Sequence, residues 1–341
     1  MNRTMNSIGW KYGLMAVVYI VLNFGISALL QWLVPDFVDK HAVILTYAMI
    51  ILTVDLVSFP LVLLLTHNMP KANIEKKRLG FGRFLLCVLI MYGLVLAGAL
   101  IGMIFQLVLT TPFGNKESSE LVDLLINSNS FLRIFMVGIL APIFEELIFR
   151  KVLIDHVAPK GELVAILASG IMFGLFHGNF QQCFFAAFIG CLFAYIYLKT
   201  GRVIYTILLH MFLNTVTSGI TVELIKWVYK AAEGIGIDLY SAADNPDLYN
   251  VSNVQALALP SMALILWILL LLFIMLAGLV TFIVIACMKK IKITRKEEDD
   301  SFSKQALSLV ASPCMWIFYV AMAVMFALEY VPPIIEFFMA E

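Results

Sequence analysis

Nine stretches of this chain stay apolar for about the length that a bilayer crossing needs, roughly 20 residues, and that pattern decides what the sequence can fold into. They lie at 12–34, 42–66, 84–109, 131–153, 163–176, 183–198, 203–220, 259–288 and 314–338. A count of eight or nine spans follows, arranged as an all-α polytopic transmembrane bundle. Composition agrees: 62% of the residues are hydrophobic and 13% charged, with formal net charge zero and mean hydropathy +0.96, far from a soluble domain. The lipid bilayer is the expected partner, and nucleic acid is not.

The first span is longer than a signal-peptide core and lacks a convincing cleavage site, so it reads as a retained signal anchor with the mature chain starting near Met1. Lysines and arginines of short loops set the orientation. The 71–83 connection carries Lys71, Lys76, Lys77, Arg78 and Arg83 against Glu75 alone and is expected in the cytoplasm. Alternate connections then place 150–160, 199–202 and the basic run 289–296 on the same side, and the acidic segments 117–123 and 238–247 outside. The N-terminus is therefore expected inside, in the plasma membrane of a bacterium. Cys87, Cys183, Cys191, Cys287 and Cys314 lie in or beside apolar runs, without metal-ribbon spacing, and read as buried free thiols.

Polarity divides the chain into three parts: an N-terminal three-span region with its outer loop (1–130), a middle core (131–219), and an outer segment with two long spans (220–341). The first part carries little buried polarity beyond Asp55. The stretch 222–233 has helical amphipathicity, consistent with a helix on the membrane surface or with an ordinary packed helix. No internal repeat pairs the two halves, which weakens a transporter built on inverted repeats.

The middle core holds the chemistry. Glu145 and Glu146 stand side by side inside an apolar span, where an unpaired carboxylate costs several kcal/mol and marks a functional site by default. On a helix Glu145 shares a face with Pro142, Ala141 and Gly138. Pro142 withholds a backbone donor from the carbonyl of Gly138, so a polar notch is expected beside the acid. Glu146 points about 100° away, with Arg150 at the i+4 ion-pair spacing. Glu146 with Arg150 thus reads as an orienting pair, and Glu145 as the acid left available.

Later spans add His177 at the end of the fifth, and His210 with Asn214 on one face of the seventh. Gly170, Gly174 and Gly178 recur at four-residue intervals, a strip that lets another helix approach closely. Counting from the turn at Gly161, Glu145 and His177 both lie ~24 Å along an antiparallel hairpin and can face each other. His210 lies ~13 Å from its own turn; the levels agree if the 150–156 end of the fourth helix projects into the cytoplasm. A carboxylate can then take a proton from water, His177 can hold that water, and His210 with Asn214 can donate to a developing oxyanion. No serine or cysteine sits beside a base, and there is no HExxH. Two histidines and a glutamate (Glu145, His177, His210) are still enough to ligate zinc.

Read together, Glu145-Glu146-x-x-x-Arg150, Phe173-x-x-x-His177 and His210-x-x-x-Asn214, in this order on successive spans, resemble the signature of the CPBP family of type II CAAX prenyl proteases, bacteriocin-processing and immunity proteins, and lysostaphin resistance protein A-like proteins. The surrounding 141–150 and 190–201 text matches too, over 131–219. The resemblance implies a four-helix catalytic core in which Glu145 and His177 activate water, His210 and Asn214 form the oxyanion site, and Glu146, Arg150 and Phe173 support them. It implies glutamate-dependent, metal-free proteolysis of a membrane-associated peptide or protein. A non-catalytic scaffold or immunity protein of the same fold is the alternative, and a proton-coupled transporter ranks third.

Overall fold

In the computed structural model, residues 3–109, 124–237, 239, 251–294, 307 and 309–339 are described. They form nine apolar helices: α1 (Arg3–Leu33), α2 (Pro35–Thr66), α3 (Phe81–Leu109), α4 (130–157), α5 (Glu162–Phe176), α6 (Phe180–Thr200), α7 (Val203–Glu233), α8 (Val251–Cys287) and α9 (Met315–Met339). Six of them are long and apolar enough to cross a membrane on length and composition; α5 and α9 over 315–331 are shorter apolar helices, and α4 is broken into α-helical and π-helical pieces. The chain is an integral membrane protein of all-α architecture, as the hydropathy requires. Of the acidic segments expected outside, 117–123 and nearly all of 238–247 lie beyond the described residues, as do Arg295 and Lys296 of the basic run.

Small residues set the packing. α5 and α6 form a close hairpin because Gly170 and Gly174 carry no Cβ: one added there would stand 2.3 Å from Cys191 Sγ and 2.4 Å from the Cys183 carbonyl oxygen. Gly178, the third member of the strip, does a different job. It turns the chain between α5 and α6 at φ +71°, a conformation that glycine adopts without penalty. α3 runs between α6 and α8, and α1 lies between α2 and α9. The cysteines are free thiols, but of the five only Cys183 is buried: Cys87, Cys191 and Cys314 are half-buried, and Cys287 is exposed at the end of α8.

The 222–233 stretch is not a separate surface helix. It continues α7 without a break and packs on α8, where Trp267 Nε1 donates to Thr221 Oγ1 at 3.0 Å. Its charges are spent on neighbours: Glu223 pairs with the fully buried Arg133, and Lys226 Nζ donates to the Ser128 carbonyl.

Apart from Lys151, the 150–156 end of α4 is covered by other parts of the chain. Asp155 and His156 are buried beneath the basic 67–80 connection, which runs across this end of the bundle. Ala72 N–H donates to the Asp155 carbonyl at 2.6 Å, Lys77 N–H to the Thr200 carbonyl at 2.8 Å, and Pro70 O lies 2.9 Å from His156 Nδ1. Tyr197 Oη adds a 2.6 Å bond to the Asp155 carboxylate. The polarity that suggests exposure in the sequence is the polarity of an internal seam, where each group finds a partner.

Candidate active site

Among the described residues, four helix segments adopt the wider π-helical turn: Ile51–Ser58 in α2, Ile134–Leu140 and Leu147–Val152 in α4, and Thr215–Thr221 in α7. Such turns leave backbone carbonyls for other donors and gather at functional sites. Here the donors are specific. Ala141 N–H reaches back five residues to the Met136 carbonyl, and Pro142, next in that register, has no N–H to offer Val137. Asn214 Nδ2 supplies it from α7, at 2.9 Å. The carbonyl that Pro142 leaves to a side chain is thus Val137's, one residue before the one an α-helical register points to. In the second π turn of α4, Tyr12 Oη donates to the Ile148 carbonyl and Ser169 Oγ to that of Phe149, both at 2.8 Å. Helices α1, α5 and α7 are pinned to α4 at the level of the acid pair.

Above that level Arg133 makes a second tie. Its Nε donates to the Ser218 carbonyl at 2.6 Å, and its Nη1 to the Leu125 carbonyl at 2.8 Å. Sequence reasoning passes over Arg133, Tyr12 and Ser169. A lone arginine at a span boundary, a tyrosine and a serine are too common in membrane helices to single out.

At the centre stands His210, buried at 3% exposure. Its Nδ1 lies 3.0 Å from Glu146 Oε1 and its Nε2 3.6 Å from Glu145 Oε2, so one imidazole spans the acid pair. A neutral ring has a single N–H and can donate to one carboxylate; an imidazolium can donate to both. Glu146 and Arg150 are fully buried and paired, Oε2 to Nε at 3.0 Å, as the i+4 spacing predicts. The guanidinium also lies over the Phe173 ring, 4.2 Å from its centroid, a cation–π contact strengthened by desolvation.

Phe173 is the hub of the cluster. His177 and His210 both meet its ring edge-on, at 4.9 and 5.7 Å between centroids, while Arg150 covers its face. His177 Nδ1 lies 2.9 Å from the Phe173 carbonyl oxygen, which leaves Nε2 as the nitrogen for anything else. Glu145, His177 and Asn214 are half-buried, whereas Glu146, Arg150, Phe173 and His210 are buried. The arrangement therefore has an inner locked set and an outer set with spare capacity. It brings six of the seven expected residues into one connected cluster; Asn214 reaches it through its bond to the α4 backbone.

Among the described residues no three His, Cys, Asp or Glu side chains are grouped so as to hold a metal ion. His210 Nδ1 faces the Glu146 carboxylate and His177 Nδ1 a backbone carbonyl, contacts that orient an imidazole whether or not its other nitrogen holds a metal. A metal held by Glu145, His177 and His210 would have to use the two Nε2 atoms, of which that of His210 lies 3.6 Å from Glu145 Oε2.

With that geometry in view, the family model described as Type II CAAX prenyl endopeptidase Rce1-like matches residues 127–216, the span that contains all seven residues. Residues 127–216 are therefore similar to this endopeptidase family over about a quarter of the chain. YdiL of Bacillus subtilis (strain 168), whose name carries the words membrane peptidase, is 33% identical over 85 residues, 25% of this chain and 35% of that protein. The membrane-embedded CAAX protease MroQ of Staphylococcus aureus (strain USA300) is 30% identical over 121 residues, 33% of this chain and 49% of that protein. The chain spans at most about half of either relative. No solved structure matches it.

Proposed function

We propose that the protein is an intramembrane endopeptidase that hydrolyses a peptide bond of a membrane-associated peptide or protein, with Glu145 as the base. The observation that carries this reading is the asymmetry of the acid pair around His210. Glu146 is closed off by Arg150 and by His210, while among the described residues Glu145 meets only the far nitrogen of the same ring, at 3.6 Å, and is half-buried. Glu145 takes a proton from a water held also by His177, and the hydroxide adds to the substrate carbonyl. The proton then passes to the departing amine. His210, turned by Glu146, and the second amide hydrogen of Asn214 are the donors for the oxyanion. The similarity of 127–216 to membrane proteases supports this assignment. The test is cleavage of candidate membrane peptides by the purified protein, wild type against Glu145→Gln. A Glu145→Gln protein that preserves the cellular phenotype would favour the scaffold or immunity reading.

We infer also that the reaction runs without a metal. Exhaustive chelation should leave cleavage intact, and elemental analysis of active protein should find well below one zinc per chain. Loss of activity on chelation, restored by stoichiometric zinc, would assign Glu145, His177 and His210 to a metal centre instead.

The scissile bond is proposed to reach the site from the cytoplasmic leaflet, since the basic 67–80 connection closes the end of the bundle nearest Arg150. Single cysteines at positions 160 and 233, both exposed, are introduced into a cysteine-free background. In intact cells an impermeant thiol reagent should label 233 and spare 160; the reverse pattern inverts the topology.

A further inference from the structure

Asp55 is the one buried acid of the N-terminal spans that the reaction proposed above does not use. It sits in the π turn of α2, 5% exposed, and among the described residues none donates it a hydrogen bond or an ion pair. The nearby hydroxyls are occupied: Thr53 Oγ1 donates to the Met49 carbonyl at 2.7 Å and Ser58 Oγ to the Thr53 carbonyl at 2.5 Å. A carboxylate at this depth without a partner is costly, and intramembrane acids are almost always paired or face a polar cavity.

Its position follows from how α2 runs beside α4. At the basic end Pro70 and Ala72 bond to His156 and Asp155. Further in, the Phe59 ring meets Phe149 edge-on at 6.3 Å and Phe176 at 5.8 Å. The two helices are therefore parallel, and stepping back four residues from the Phe59–Phe149 contact brings Asp55 to the level of Glu145. The two carboxylates lie within electrostatic reach of one another, and Phe176, which Phe59 touches, immediately precedes His177. Asp55 is thus a third acid at the level of the site, contributed from outside the matched core.

The charge count at this level is unbalanced. Asp55, Glu145 and Glu146 face one permanent cation, Arg150, which Glu146 holds, and even an imidazolium at His210 between the two glutamates leaves one negative charge over. A proton shared among neighbouring carboxylates is one way such an excess is met. A bound cation meets it as well and leaves Glu145 ionised to act as the base.

We propose that Asp55 is a substrate-binding residue that receives a positively charged group of the membrane peptide, a lysine or arginine side chain or a free amine close to the cleaved bond. The inference deepens the endopeptidase reading and rests on it for the word substrate.

The experiment measures binding and cleavage separately, on the full chain in detergent micelles. The probes are fluorescent single-span peptides of ~20 apolar residues, each with one lysine, or norleucine at the same place, scanned through the depth of Asp55. That depth is ~16 Å from the Thr66 end of α2. At one position the lysine peptide should bind at least about tenfold more tightly than its norleucine twin, the size expected for a charge-assisted hydrogen bond. Asp55→Asn should erase that preference and Asp55→Glu should restore most of it. Equal affinity of lysine and norleucine peptides for the wild-type protein at every position overturns the proposal without recourse to any variant. So does a lysine preference that Asp55→Asn leaves in place. Cleavage of the same peptides reports on the endopeptidase reading: a lysine preference without cleavage sinks that reading and keeps Asp55 as a binding residue, while cleavage without a lysine preference does the opposite.

Discussion

Glu145→Gln should leave the protein folded and monodisperse in detergent while peptide cleavage falls by about 10²- to 10⁴-fold, the usual contribution of a positioned general base. Glutamine has the shape of glutamate and can occupy the same place, 3.6 Å from His210 Nε2, so the packing around the acid pair survives in neutral form. What is lost is the capacity to accept a proton from water. Glu146→Gln should behave differently, because Glu146 is fully buried between Arg150 and His210. Removing its charge leaves the guanidinium without its counter-ion, so folded yield should fall together with turnover. The pair of variants thus separates chemistry from support. Near-normal turnover by Glu145→Gln, in an assay where the wild type cleaves to completion, would show that Glu145 is not the base.

How much of this was legible in the sequence depends on whether a contact lies within one helix or between two. The Glu146–Arg150 pair is an i,i+4 contact, and α-helical geometry alone dictates it. The nine apolar runs could be read because a bilayer fixes their length. The meeting of α5 and α6 at Gly170 and Gly174 follows from glycine spacing, although Gly178 turned out to serve the turn. Contacts between helices need the register, and π turns change it. One extra residue per turn in 134–140 and 147–152 moves the exposed carbonyl from Gly138 to Val137 and brings Asn214, Tyr12 and Ser169 to α4 as donors. No periodicity in the sequence announces such a turn. For the same reason His210 could be grouped with the acids, but that it would span both of them could not be foreseen. Asp55 was visible as a lone acid in an apolar span; its neighbour was not, because Phe59 and Phe149 are phenylalanines among the 26 of this chain. The seam at 150–156 misled in the opposite sense, since a polar helix end reads as solvated until the chain that covers it is placed.

Arg150→Ala should be the most damaging single change to stability. The guanidinium is fully buried, holds Glu146 at 3.0 Å, and lies over Phe173 at 4.2 Å and near Phe193 at 5.5 Å. Truncating it strands a buried carboxylate, which typically costs about 3–5 kcal/mol, and also empties the space between two aromatic rings. A marginal protein has roughly 5–15 kcal/mol in total, so most of the expressed chain should aggregate or elute in the void of a sizing column. The cause can be separated from lost packing by a cycle. Arg150→Met keeps much of the side-chain volume and removes the charge, and adding Glu146→Gln removes the carboxylate it strands. If the stranded charge is the main cost, Arg150→Met alone should melt far below wild type, and the double variant should recover a large part of the loss while staying inactive. Thermal unfolding of the four proteins in one detergent decides it. An Arg150→Met protein that melts within about 1 kcal/mol of wild type, the range of an ordinary surface pair, would mean that Glu146 relies on His210 rather than on Arg150 for its charge balance.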